Sequence, residues 1–165
     1  MPGPVPVKLI VCRAGAHRIA LAMDGVREVL PLLPINRPPA LPRPLLGFID
    51  VRGETLSLVS PALVLDDGQA TDAIDIDAHI LRLADAALPC LLVDRVEDVA
   101  TVAADDVRAV APGSSPNDAF TAEVMLADGV AHLLATDRLL DDAERMRLAD
   151  LTTVARRRAA EWAAG

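Results

Sequence analysis

Aromatic residues are nearly missing from this chain. It has one Trp, two Phe and no Tyr among 165 residues, although 52% of its residues are apolar. Its core must therefore be aliphatic, packed from Leu, Val, Ile and Ala. Long apolar runs are missing as well. Stretches such as Leu9–Cys12 and Leu91–Val93 are about five residues long at most, whereas a bilayer-spanning helix needs about 20. The amino end, Met1-Pro-Gly-Pro-Val-Pro, has no apolar h-region and no cationic start, so no secretory signal is expected there. Cysteine is scarce too: Cys12 and Cys90 stand 78 positions apart and are expected to be buried and reduced rather than bridged.

Positive charge is in deficit. The net charge is −8, and a nucleic-acid surface needs a cationic face to displace phosphate counterions. The one basic cluster, Arg156-Arg157-Arg158, lies near Glu161 on an expected helix and reads as a solvated face. Signatures of catalysis are missing too. His17, His79 and His132 are scattered, with none of the i, i+4 spacing of a helical metal pair. There is no Gly-x-Ser-x-Gly elbow and no phosphate-cradling Gly loop, and Ser57, Ser60, Ser114 and Ser115 have no base beside them. The acid pairs Asp66-Asp67, Asp105-Asp106 and Asp141-Asp142 are consecutive, so their side chains diverge rather than converge for acid–base work. No enzyme, metal site, cofactor, nucleic-acid partner or membrane insertion is expected.

What is present is an internal repeat. Val7–Leu30 aligns without a gap on Asp77–Ala100. In each copy an apolar run meets an Asp (Asp24, Asp94), then a Val (Val26, Val96), an acid (Glu28, Asp98) and another Val (Val29, Val99). A second echo follows: Gly53–Asp67 ends Leu-Val-Leu-Asp-Asp, and Gly129–Asp142 ends Arg-Leu-Leu-Asp-Asp. Two copies, each too small for an ordinary domain, imply paired subdomains with a seam where a ligand or partner would sit.

Short apolar runs broken by turn signals imply strands. Val7–Cys12 and Arg18–Met23 form one expected hairpin about Ala14-Gly15-Ala16. Val26–Leu30 reads equally as strand or as a turn of helix. Residues 31–44 carry six prolines, which remove backbone donors, so they read as an extended ordered loop. Leu45–Val51 and Glu54–Val59 form a hairpin about Arg52-Gly53, with a repeat boundary in Asp66–Asp75. His79–Leu83 and Leu88–Val93 repeat the opening hairpin, and Val124–Leu126 and Val130–Ala135 flank the turn signal Asp128-Gly129. At the carboxyl end Asp141 and Glu144 spell a capping box. Leu148, Leu151, Ala155, Ala159 and Trp162 then fall at helical spacing, with Trp162 the expected anchor. Arg52 stands at a hairpin tip whose counterpart in the second copy is Asp128.

These motifs together resemble the CheW family, adaptors that couple bacterial chemoreceptors to the histidine kinase CheA. The resemblance runs from about Val7 to Glu144. It is carried by Val26-Arg27-Glu28-Val29, by Gly47-Phe48-Ile49-Asp50-Val51-Arg52-Gly53 after the proline-bearing loop, by Val93-Asp94-Arg95-Val96-Glu97-Asp98-Val99, and by Leu133-Leu134 ahead of Leu139-Leu140. It implies an all-β fold of two SH3-like five-stranded barrels built from the repeat, plus a carboxyl-terminal α-helix. The first barrel is expected over residues 7–70 with a helix over 141–163, and the second over 76–140. It also implies a non-catalytic cytoplasmic adaptor, beside receptor arrays, binding the regulatory domain of a CheA-type kinase and the cytoplasmic tip of chemoreceptors.

Carried over by position, the partner-binding set is Arg52 and Glu28, facing each other, with Val26 and Val29 around them and Asp50, Val51 and Gly53 at the tip. Two departures stand out: Asp50-Val51 replaces the family's Asn-Leu, and Val59-Ser60-Pro61-Ala62 replaces an aliphatic followed by Asp-Leu-Arg. They leave open a divergent regulator of a non-chemotaxis kinase. A small-molecule or enzymatic site in the seam remains the other reading, and a deep cleft lined by His17 or His132 would mark it.

Overall fold

The computed structural model describes residues 5–65 and 73–164, so most of the expected repeat boundary lies outside the described residues. Among the described residues eleven strands and two α-helices follow in order. The first copy supplies β1 (Val7–Ala14), β2 (His17–Ala22), β3 (Val26–Pro31), β4 (Leu45–Val51), β5 (Glu54–Val59) and the short α1 (Pro61–Leu65). The second supplies β6 (His79–Leu83), β7 (Cys90–Val93), β8 (Arg95–Val102), β9 (Val107–Ala109), β10 (Phe120–Leu126) and β11 (Gly129–Leu134), and α2 (Asp142–Ala164) closes the chain. Val26–Pro31 is thus strand, not helix.

The strands form two sheets, ordered β8-β1-β2-β11-β10-β9 and β3-β6-β7-β5-β4. Each sheet is a mixture. The hairpin β1–β2 of the first copy lies between β8 and β11 of the second, while the hairpin β6–β7 of the second lies between β3 and β5 of the first. A division into residues 7–70 and 76–140 therefore does not follow the sheets. The reason is local. The 3-10 turn Met23–Gly25 and the single residue Asp94 carry each chain out of its own hairpin and onto the edge of the other copy's sheet. Asp94 fixes this crossing: its carboxylate accepts from the Gly15 N–H at 2.7 Å, and its own N–H donates to the Arg13 carbonyl at 2.8 Å. The first sheet has six strands rather than five, because the 3-10 turn Ala104–Asp106 splits the run after β8 and sets off β9.

The exchange explains the short continuous apolar runs. A strand buried on both faces loses the alternation of a half-exposed one. In β1, Leu9 and Val11 face the core inside the six-stranded sheet, while Ile10 and Cys12 face a larger core shared by both sheets. In β7, Cys90 and Leu92 face inside the five-stranded sheet, while Leu91 and Val93 join the shared core. Both cysteines are free and buried, and burial pushes each thiol up to about 12.

The proline-bearing connection lies along the outer edge of β4. Asn36 and Phe48 exchange both backbone hydrogen bonds at 2.8 Å, which caps an edge that would otherwise be open. Gly47 permits this close approach. Its φ is +149°, and an added Cβ would lie 2.3 Å from the Asn36 carbonyl oxygen. α2 packs on β5 and β4 through Leu148, Leu151 and Ala155. Its capping box forms as the sequence indicates, with the Glu144 N–H on Asp141 at 2.8 Å and the Asp141 N–H on Glu144 at 3.0 Å. The helix outruns the sheet, however. Trp162 is 87% exposed, so it anchors nothing in the core.

Two outcomes test this packing. Gly47→Ala should lower unfolding stability by about 2–3 kcal/mol in a urea titration, because the clash is with backbone. Both thiols should resist a disulfide-exchange reagent at pH 8 in the folded protein and react fully in denaturant, since the thiolate is the reactive form.

Candidate functional site

Arg52 and Gly53 form the β4–β5 turn with φ of +50° and +85°. Positive φ at both central residues is the primed hairpin geometry that matches the twist of the flanking strands. Asp50 stabilises it, because its carboxylate accepts from the Gly53 N–H at 2.7 Å. The departure at residue 50 thus has a backbone role. So has the one at residues 60–62: the Ser60 hydroxyl accepts from the Leu63 N–H at 3.3 Å and caps α1, with Pro61 at its first position.

The turn projects Arg52 toward β3, where its guanidinium is bonded to the Glu28 carboxylate. The second contact of that fork, Nη1 to Oε2, is 3.4 Å. Glu28 is shared. Arg82, its cross-strand neighbour on β6, lies 3.4 Å from the same carboxylate and reaches Glu54 on β5 at 2.9 Å. The order Arg52–Glu28–Arg82–Glu54 is a charge ladder joining three segments of the curled five-stranded sheet. Its members differ in exposure: the Arg82 side chain is 13% accessible and that of Arg52 is 65%. Arg82 braces and Arg52 is on display. The bond from Arg52 holds the Glu28 carboxyl below its ordinary value, more than its partial desolvation raises it.

The other expected site residues divide. Val51 is buried in the core of the five-stranded sheet and cannot meet a partner. Gly53 shapes the turn. Val26 is half-buried and lines a seam hollow of about 200 Å³ with Leu21, Leu83 and Leu134. Val29 is exposed, but it pairs with Leu81 and stands on the opposite face of β3 from the Glu28–Arg82 pair. β3 therefore separates two surfaces: the charge ladder on one side and the apolar seam on the other.

The second copy holds a related network that the aligned positions miss. A register shift, a β-bulge, falls at equivalent places in the copies, leaving Arg27 unpaired in β3 and Glu97 unpaired in β8. The acid facing arginines in the second copy is consequently Glu97, not Asp98. Asp98 caps the Val99 N–H at 2.8 Å. Glu97 lies 3.4 Å from Arg18 and 3.7 Å from Arg13, and Arg18 forks onto Asp128 with two contacts of 3.0 Å. The two hairpin tips thus carry opposite charges, each paired with a group from a neighbouring strand. Arg82, Glu54 and Arg18 could have been suspected only as charges on largely apolar strands, and Glu97, on the polar strand β8, had no such signal.

His17 and His132 flank Phe120, with ring centroids 5.7 and 4.8 Å away. They line an open depression with Glu123 and Ser114 rather than a deep apolar cleft, which counts against the seam-enzyme reading. Among the described residues no group of His, Cys, Asp and Glu is placed to hold a metal ion. No helix there is long and apolar enough to cross a membrane.

The ladder separates bracing from display in a way that mutation can read. Arg82→Ala should cost about 1–2 kcal/mol, because it leaves Glu54 without its partner and Glu28 with Arg52 alone, whereas Arg52→Ala should leave the urea midpoint nearly unchanged. The pH dependence has a definite sign. Glu28 has a lowered folded-state value, so its contribution is present above the ordinary 4.5 and fades as pH falls through the folded value. The stability gap between the native protein and Glu28→Gln should shrink on acidification below about pH 4.5 and not on raising the pH.

A family model for the CheW-like domain matches residues 8–144. Among solved structures, the scaffolding protein TtCheW from Thermoanaerobacter tengcongensis superimposes with a TM-score of 0.73 at 18% identity, covering 84% of this chain and 90% of that one. At that identity the likeness is one of fold. No curated protein matches the chain by sequence.

Proposed function

The chain belongs to the family of CheW-like domains, and on that premise we propose that it is a non-catalytic adaptor coupling chemoreceptor tips to a CheA-type histidine kinase. The observation that carries this reading is the geometry of β3. An adaptor needs two surfaces whose relative position is fixed. Here one strand has a charge ladder ending in exposed Arg52 on one face and the seam hollow lined by Val26 on the other, with exposed Val29 further along that second face. Arg52 is presented on a turn set by Asp50 and Gly53 and is held by Glu28, so little side-chain freedom is lost on binding. The seam offers an apolar hollow to a helical receptor tip, and the kinase regulatory domain docks on a neighbouring surface. Signal passes by linkage: a partner that binds one arrangement of the assembly more tightly shifts its population. The protein acts in the cytoplasm, at the receptor array.

The test is reconstitution of the purified chain with the regulatory domain of its cognate CheA-type kinase and a receptor signalling fragment. Binding at micromolar concentration is expected, and none would sink the proposal. Arg52→Asp should leave the melting temperature nearly unchanged and weaken ternary assembly about tenfold, equivalent to about 1.4 kcal/mol. Unaltered assembly would remove Arg52 from the site.

A further inference from the structure

Glu28 is claimed by two arginines at once. Its Oε1 accepts from Arg52 Nη2 and lies 3.4 Å from Arg82 Nη1. Its Oε2 meets Arg52 alone, at 3.4 Å. The two claimants are unlike. Arg52 sits on the β4–β5 turn with its side chain 65% accessible, within reach of another molecule. Arg82 sits inside the sheet on β6, between β3 and β7, and its side chain is 13% accessible. Its second nitrogen is held by Glu54 at 2.9 Å, so it is anchored and does not itself meet a partner.

The four charges balance, and that balance sets what binding at the tip costs. The Glu28 side chain is 30% accessible. A partner that drew Arg52 away would leave this partly desolvated carboxylate short of a cation, which is unfavourable. Arg82 offsets that loss. It already lies against both acids, and a small turn of its guanidinium brings 3.4 Å down to an ordinary hydrogen-bond length. The ladder then divides into two matched sets: Arg52 with an incoming anion, and Arg82 between Glu28 and Glu54. The incoming group that best replaces Glu28 on Arg52 is another carboxylate, which the guanidinium fork meets with two parallel N–H bonds. Arg82 and Glu54 lie outside the positions carried over from the family, so the exchange belongs to this chain's own strands.

We infer that Arg82 is a positioning residue for the partner contact: it takes over Glu28 when Arg52 turns to a carboxylate of the docked protein. The inference rests on the adaptor reading and adds to it the chemistry that Arg52 meets, an Asp or Glu side chain.

The first test needs no partner. The Glu28 carboxyl is followed by carbon NMR through a pH titration of the full chain. Arg82→Gln should raise its midpoint more in an Arg52→Gln background than in the native chain, because Arg82 tightens on Glu28 once Arg52 is gone. An unmoved midpoint in that background would overturn the inference. The second test uses the kinase regulatory domain and the receptor fragment. Arg82→Gln should weaken assembly about fivefold although Arg52 is intact. Adding Glu28→Gln to Arg82→Gln should recover most of that loss, since the amide still accepts from Arg52 and strands no charge. Loss without recovery would make Arg82 a structural residue only, and unchanged assembly in Arg82→Gln would remove it from the contact; either overturns the inference. Arg52→Asp should weaken assembly at least about threefold more than Arg52→Gln, because it sets like charges face to face. Equal losses would overturn the carboxylate. A native chain that assembles with neither partner overturns the adaptor reading instead, and the partner-free titration still decides whether Arg82 takes over Glu28.

Discussion

The exchange of hairpins between the two copies is the constraint from which the remaining structure follows. Neither β1–β2 nor β6–β7 has its own copy's strands on both sides, and each is completed by the third and last strands of the other. Both exchanged hairpins are therefore interior and buried on two faces, which joins the sheets through one shared aliphatic core. A chain with almost no aromatic residues can build such a core because Leu, Ile and Val on paired strands interdigitate without large rings. The exchange also makes the two units inseparable, so the distance between the seam and the tip of either sheet is set by covalent connections as well as packing.

Quasi-equivalence within that frame produces two tips of different character. At the first, Arg52 points outward and is paired from beneath by Glu28, which Arg82 supports. At the second, Asp128 is itself the exposed end, forked by the less accessible Arg18. The copies share a bulge on the crossing strand, but the bulged residue is Arg27 in one and Glu97 in the other. A shared backbone device therefore aims different chemistry. A duplicated fold can in this way hold its core constant while its two ends diverge toward different neighbours.

Much of the fold was legible in the sequence because it rests on local signals. The hairpin about Arg52-Gly53, the capping box at Asp141 and Glu144 and the doubled strand pattern all depend on residues within a few positions of one another. One contact of the candidate site was legible too. Glu28 and Arg52 do meet, whereas Val51 belongs to the core and Val29 stands on the other face of its strand. Arg82 and Glu54 have no signature in the sequence, because cross-strand neighbours are set by register, which no linear spacing reports. Trp162 departs from the expected anchor for a related reason. Helical periodicity gives the face of a residue but not where the sheet beneath that face ends.

By itself the sequence determined an aliphatic two-copy β fold, the turn that presents Arg52, and the helix capped by Asp141, since these follow from composition and short-range geometry. Only the tertiary structure decided which strands pair across the copies, which acids face which arginines, and that α2 runs past its sheet to leave Trp162 exposed. Those outcomes depend on long-range register and on two bulges that shift it by one residue. In a sheet a shift of one residue moves a side chain from one face to the other.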